Sequence, residues 1–237
     1  MSYQVRGINT TMKPCADVIM PVWNHLEDLT KPAIQSVREC TNIPYRLIVV
    51  NNGSTDGTAD WLTEQDDIMA LTIEANQGFT YAVNRGIEIS TAPYIVILCN
   101  DVEVDTGWLK LLIEGLESDP KIGAIGPLST TKGPQWEGNH RGQKGVLIAS
   151  YQIAFFCTVF RRETIQRVGL LDEQFRTYCS DDDYAMLMWQ AGWQQAIHCD
   201  VLVKHSAGGT MNPTGRVKEL HEQDLRRLWR KWPNGGF

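Results

Sequence analysis

A strand-like apolar run, 95-IVILC-99, is followed at once by Asn100, Asp101, Glu103 and Asp105. Carboxylates crowded at the end of such a strand repel one another and lose hydration if covered. Asp101 and Glu103, at i and i+2, are hard oxygen donors of the kind Mg2+ or Mn2+ prefers, and a divalent cation would cancel the repulsion. The competing reading is a loop in which Asp105 or Thr106 caps the next helix. A second acidic group, Asp181, Asp182 and Asp183, opens a predicted helix in 180-SDDDY-184. Helix N-termini favour carboxylates through the macrodipole, but three in a row exceed what capping requires. A positioned carboxylate is also what takes a proton from a hydroxyl. His205, in 203-VKHSAGGT-210, is a candidate third ligand to a metal-bound diphosphate, although a lone His is more often structural or solvated. The stretch 51-NNGSTDGT-58 is rich in backbone amides and short polar side chains. That suits a nucleotide, and equally suits a tight strand-to-helix connection.

Other chemistries lack their residues. There is no G-x-G-x-x-G and no Walker lysine, so neither a dinucleotide fingerprint nor a P-loop is present. A G-x-S-x-G elbow, an H-E-x-x-H pair and zinc-type Cys/His spacing are also missing, which argues against a serine hydrolase or a zinc enzyme.

Regular elements must position these groups. Residues 16–23, 45–51, 69–74 and 94–99 read as strands, and about 26–40, 58–64, 79–89 and 108–116 as helices. That alternation predicts an α/β fold, a mostly parallel central sheet flanked by helices. Strands covered on both faces should be continuously apolar, as LIVV and IVIL are. Ligands of such sheets bind outside the carboxyl ends of the strands. Those ends carry Trp23 and Asn24, Asn51 to Asp56, Asn76, and Asn100 to Glu103. The second half is less regular. Residues 129–145 read as a mobile Gly-rich loop, and 152–160, 194–199 and 201–205 as strands. Residues 180–193 read as a helix, and 217–232 as a basic, Trp-bearing one.

A chain of 237 residues suits one large domain or two small ones. The net charge of −6 leaves no global basic footprint and weighs against a nucleic-acid partner without excluding one. Six scattered cysteines without a CxxC pair point to a reducing compartment. The N-terminus has no apolar signal segment, and the longest apolar run, 146–160, is too short and polar for a bilayer. The expected location is cytoplasmic. The C-terminal Arg226, Arg227, Arg230 and Lys231, interleaved with Trp229 and Trp232, fit either peripheral contact with an anionic membrane or a packed helix with a solvated face. The second reading is the simpler.

In order, 18-VIMPVWN-24, 48-IVVNNGSTDGT-58, 76-NQGFTYAVNRGI-87, 97-ILCNDVEVDTGWL-109 and 161-RRETIQRVGLLDEQF-175 resemble the successive motifs of the family 2 nucleotide-sugar glycosyltransferases. The resemblance covers about 16–210 and implies a single GT-A (Rossmann-like) domain. It implies a nucleotide-sugar-binding half at 16–127 and an acceptor and catalytic half at 128–210, with 1–15 an extension and 211–237 a C-terminal helix and tail.

Position by position, the resemblance implies contacts to the nucleotide-sugar from Pro21, Val22, Asn24, Asn51, Asn52, Ser54, Asn76, Gly78, Asn84, Asn100 and Asp101. It implies a Mn2+ or Mg2+ site at Asp101, with Glu103 as a second acidic contact and His205 as a late ligand. Asp181 aligns with the general base, and Asp182 takes that role if the register slips by one. The implied reaction is inverting transfer from a UDP-, GDP- or dTDP-sugar to a hydroxyl on a glycan, a lipid-linked carrier or another acceptor. Segment 129–145 or 207–216 would close over the donor. The chain departs from the family pattern at Asn51, Asn100 and Ser180, where acids are usual. Those departures leave open an inactive glycan- or nucleotide-binding module on the same fold.

Overall fold

The structure is a computed structural model that describes residues 4–6, 13–206 and 217–233. Strands and helices alternate through the first half: β1 (Gln4–Arg6), β2 (Ala16–Val22), α1 (Lys31–Cys40), β3 (Tyr45–Asn52), α2 (Thr58–Thr63), β4 (Ile68–Ile73), α3 (Phe79–Ile89), β5 (Tyr94–Leu98), β6 (Val102–Glu103) and α4 (Trp108–Glu117). There follow β7 (Ile122–Ser129), β8 (Val146–Ile148), β9 (Cys157–Arg161), α5 (Arg162–Val168), α6 (Ser180–Gln190), β10 (Gln194–His205) and α7 (Val217–Lys231).

The sheet runs β1-β4-β3-β2-β5-β9-β7-β10-β6, with β8 on β10. Strands β4, β3, β2 and β5 are parallel neighbours. Strand β9 is inserted antiparallel between β5 and β7, and β10 lies parallel to β7. Alternate residues of the central strands feed two cores. Val18, Met20, Leu47, Val49, Val96 and Leu98 face α1 and α4, whereas Ile19, Ile48, Val50, Ile95 and Ile97 face α3 and α6. Leu109, Leu112 and Leu116 of α4 recur at helical spacing and are all buried. Full burial of each such side chain contributes about 1.5–3 kcal/mol.

Several expectations change in detail. Residues 26–30 form a wide π-type turn ahead of α1, closed by the Thr30 amide on the His25 carbonyl at 2.9 Å. The 129–145 segment is anchored rather than free. Buried Gln135 donates to the Pro127 carbonyl at 2.9 Å and accepts from the Ala154 amide at 2.7 Å. Of 152–160, only Cys157 onward is strand. The two short strands expected over 194–205 are one strand, β10, whose register against β7 shifts between His198 and Leu202. Gln4–Arg6 of the N-terminal extension pairs with β4. Segment 207–216 lies outside the described residues. Among the described residues no helix is long and apolar enough to cross a membrane.

Candidate active site

A cavity of about 640 Å³ opens at the carboxyl ends of β2, β3, β4 and β5. Pro21, Val22, Asn52, Asn76, Gly78, Asn100 and Asp101 line it from those ends. Asn52 organises the loop after β4. Its amide nitrogen donates to Asn76 Oδ1 at 3.2 Å and to the Gly78 carbonyl at 3.0 Å, and its Oδ1 accepts from the Gln77 amide at 3.0 Å. Gly78 has φ +99°, and a Cβ there would lie 2.5 Å from the Arg176 carbonyl oxygen. Only glycine lets the 76–78 loop lie against the segment leading to α6.

Asp101 meets His205 because β6 turns back and pairs with the end of β10, placing Val102 opposite His205. The Asp101 Oδ1 to His205 Nε2 distance is 3.6 Å. The imidazole stacks on Phe156 with centroids 4.7 Å apart, and the His205 amide donates to Thr130 Oγ1 at 3.1 Å. Among the described residues no group of three His, Cys, Asp or Glu side chains could hold a metal ion. A Mg2+- or Mn2+-type ion does not require one, since such ions often take one or two side chains and fill the sphere with water and phosphate oxygens. One carboxylate and one imidazole sharing a cavity fit that pattern.

Helix α6 begins at Ser180, after Cys179 in the left-handed region at φ +60°, and its first turn sends three carboxylates in different directions. Asp183 is buried and accepts from Lys231 Nζ at 2.9 Å and Trp232 Nε1 at 2.8 Å. Asp182 lies near Cys179 and His221; burial pushes its pKa up while the His221 charge opposes. Asp181 lines the cavity. Deep burial and then the charge of Asp182 push it up to about 7, against the pull of the Asp182 and Phe155 amides. Cys99 and Cys179 also line the cavity, and burial raises both thiols, Cys179 to about 12. Both are therefore protonated near neutrality and are poor nucleophiles.

Six residues expected at the site stand outside the cavity lining. Asn24 Oδ1 accepts from the Thr55 amide at 2.8 Å, and the Asn24 amide donates to Ser54 Oγ at 2.9 Å. Asn51 is buried and its Oδ1 accepts from the Ser54 amide at 3.0 Å. Asp56 extends this scaffold by accepting from the Leu26 amide at 2.9 Å and the Thr58 hydroxyl at 2.5 Å. The NNGSTDGT run thus mainly ties the β3 turn to the β2 turn, and within it only Asn52 reaches the cavity. Asn84 is buried in α3 and clamps Leu171, donating to its carbonyl at 2.8 Å and accepting from its amide at 3.1 Å. Glu103 points along the β6–β10 ribbon to Lys204 Nζ at 2.6 Å, because side chains alternate across a strand and its neighbour Val102 is buried. Asp182 is the sixth.

Sequence reasoning missed other lining residues. Phe155 and Phe156 were read as strand interior but precede β9 and face the cavity. Arg176 and Tyr178 come from the turn before α6, and Leu220, Gln223 and Arg227 from α7. Their one signal in sequence was the polar, basic character of the C-terminal helix.

Residues 17–179 match the sequence profile of Glycosyl transferase family 2. The chain belongs to that family. It is 24% identical over 206 residues to the poly-beta-1,6-N-acetyl-D-glucosamine synthase of Staphylococcus epidermidis, a similarity covering 77% of this chain and 49% of the relative. The chain therefore spans about half the length of the curated relatives it matches. Among solved structures it resembles the mannosyltransferase PcManGT from Pyrobaculum calidifontis, in complex with GDP-Man and Mn2+. The TM-score is 0.70 at 21% identity, covering 93% of this chain and 65% of that one. GalNAc-T7 with UDP, GalNAc and Mn2+ gives a TM-score of 0.68 at 14% identity over 84% and 47% of the two chains. The shared fold is the GT-A α/β domain expected from the motifs. Asp181, His205 and α7 all lie beyond the matched 17–179.

Proposed function

We propose that this family 2 chain is an inverting, metal-dependent glycosyltransferase that moves a sugar from a nucleoside-diphosphate sugar to an acceptor hydroxyl. The observation that carries the reading is Asp181, a deeply set carboxylate in the strand-end cavity with its proton affinity raised to about 7. A base of that strength holds a proton weakly enough to be free near neutrality and strongly enough to take one from a hydroxyl.

The donor's nucleoside rests on Pro21, Val22, Asn52, Asn76, Gly78 and Asn100, with residues 16–127 forming the donor half. Asp101 and His205 would hold Mn2+ or Mg2+. When bound, that ion neutralises charge on the departing diphosphate. Asp181 accepts the acceptor's proton on its carboxylate. The acceptor oxygen forms its bond to the anomeric carbon on the face opposite the leaving group. The bond from that carbon to the phosphate oxygen breaks, and its electron pair leaves with the nucleoside diphosphate. One displacement inverts the configuration. The Asp182 and Phe155 amides hold the Asp181 carboxylate in place, and apolar Phe155 and Phe156 help keep water from the reacting centre.

Two observations on similar proteins support the reading. Both fold neighbours were solved with Mn2+ and a nucleotide or nucleotide-sugar. The curated relative is named as a synthase of a glycan, which makes a hydroxyl-bearing sugar the first acceptor class to test. The test is release of nucleoside diphosphate from a panel of UDP-, GDP- and dTDP-sugars with and without Mn2+. The expected result is Mn2+-dependent release with one nucleotide class. Absence of both release and nucleotide binding across the panel overturns the proposal.

A further inference from the structure

Helix α7 lies beyond the family-matched segment yet is built into the site. Lys231 and Trp232 hold Asp183 of α6, and Lys231 Nζ also reaches Asp172 Oδ2 at 2.8 Å. Buried Asp224 accepts from the Thr177 and Tyr178 amides at 3.1 and 3.0 Å through Oδ2, and from Arg227 Nη1 at 2.5 Å through Oδ1. Leu220, Gln223 and Arg227, spaced i, i+3 and i+7 on one helix face, line the cavity that contains Asp181.

Arg227 is a fixed cation. Asp224 engages one end of its guanidinium and spends its other oxygen on two backbone amides, leaving the remaining N–H donors of the fork uncommitted to that carboxylate. A guanidinium held this way is preorganised for a planar or tetrahedral oxyanion. Its place in the fold separates it from the donor's phosphates. Asp101 and His205 sit where β5 and β10 end and β6 begins, whereas α7 is fastened to 172–183, the stretch that carries Asp181. Arg176, the other lining guanidinium, bonds the Asn76 carbonyl at 3.3 Å on the donor side.

We infer that α7 forms the acceptor subsite, and that Arg227, clamped by Asp224 and flanked by Gln223, binds an anionic group, phosphate or carboxylate, on the acceptor beside the hydroxyl that Asp181 deprotonates. This rests on the transfer reading above. The test uses the full chain with Mn2+ and nucleotide present. Calorimetry compares glucose 6-phosphate, glucuronate and glucose on wild type, Arg227→Gln, Arg227→Lys and Gln223→Leu. One charged hydrogen-bonded contact predicts about ten- to a hundredfold tighter binding of an anionic sugar than of glucose by wild type. Arg227→Gln abolishes that preference, Arg227→Lys restores part of it, and nucleotide affinity stays within about twofold. Preference for the phosphate alone, or for the carboxylate alone, names the anion. Equal binding of all three sugars by wild type overturns the inference, as does a nucleotide affinity that falls in parallel in Arg227→Gln. If Arg227→Gln melts below the assay temperature, Arg227→Lys and Gln223→Leu decide together: an anion preference equal to wild type in both overturns it. A wild type that binds no nucleotide defeats the transfer reading itself, and the acceptor subsite falls with it.

Discussion

The two ends of the sheet treat buried carboxylates in opposite ways. At the amino end, Asp17 is fully buried and its oxygens are satisfied within the chain. Arg46 binds it bidentately at 2.7 Å through both contacts, and the Thr91 and Ala92 amides donate to it at 2.6 and 2.8 Å. At the carboxyl end, Asp181 has the Asp182 and Phe155 amides and an adjacent acid, and its pKa rises. Asp101 there lies 3.6 Å from the His205 imidazole. One end closes its charge balance internally and serves the fold. On the proposed transfer reading, the other leaves the balance for a ligand to complete, which is how a site differs from a strut. The same contrast recurs within a single helical turn, since Asp183 is paired with Lys231 and Asp181, among the described residues, with no cation.

The comparison breaks most sharply under amidation. Asp181→Asn should lower kcat by about 10³-fold, within the range of a lost general base, while nucleotide affinity holds. Near-wild-type turnover would move the base elsewhere. The matching change at the other end, Asp17→Asn, strands Arg46 and should cost about 3–5 kcal/mol in urea unfolding, with kcat unchanged under conditions where the protein stays folded. Equal effects of the two variants on both readouts would erase the distinction between the ends. Gly78→Ala comes next. Positive φ and a Cβ 2.5 Å from a backbone oxygen should cost about 1–3 kcal/mol and weaken nucleotide binding, because the 76–78 loop must move.

The pH dependence has a defined sign. Asp181 is raised from 3.8 to about 7, so between those values the folded chain binds more protons than the unfolded one. Its contribution to stability therefore falls as pH rises through that window, while the fraction of active base rises. Asp181→Asn should gain thermal stability relative to wild type at pH 8 and lose that advantage at pH 4, with wild-type kcat climbing toward pH 7. A stability difference independent of pH would rule out the elevated pKa of Asp181. The smallest effect belongs to Glu103→Gln. Its exposed pair with Lys204 is worth less than about 1 kcal/mol, and Mn2+-enhanced nucleotide binding should persist there and vanish in Asp101→Asn. Loss in both variants would return Glu103 to the metal site.

Much of the fold was legible because its signals are local. LIVV and IVIL announce strands covered on both faces, and the helices between them repeat at their own period. The motif order placed the polar strand ends together, so Pro21, Val22, Asn52, Asn76, Gly78, Asn100 and Asp101 could be named without coordinates. Asn24, Ser54, Asn51 and Asn84 have the same polar character, yet each directs a side-chain oxygen to a backbone amide. Residue type tells that a group can make a hydrogen bond and not which partner it takes.

The sequence by itself determined the alternating α/β order, the two-faced strands and the acidic turns after β5 and before α6, because each depends on neighbours in the chain. Tertiary structure decided which of Asp181, Asp182 and Asp183 faces the cavity, since that depends on the pitch of α6 after Cys179 and on Lys231 and Trp232, 48 and 49 residues past Asp183. It also decided that Glu103 turns to Lys204 while Asp101 turns to His205, because the β6–β10 pairing sets which side of a two-residue strand each carboxylate occupies. Side-chain chemistry is written residue by residue, but the free energy of a buried charge depends on what surrounds it, and here those surroundings come from distant parts of the chain.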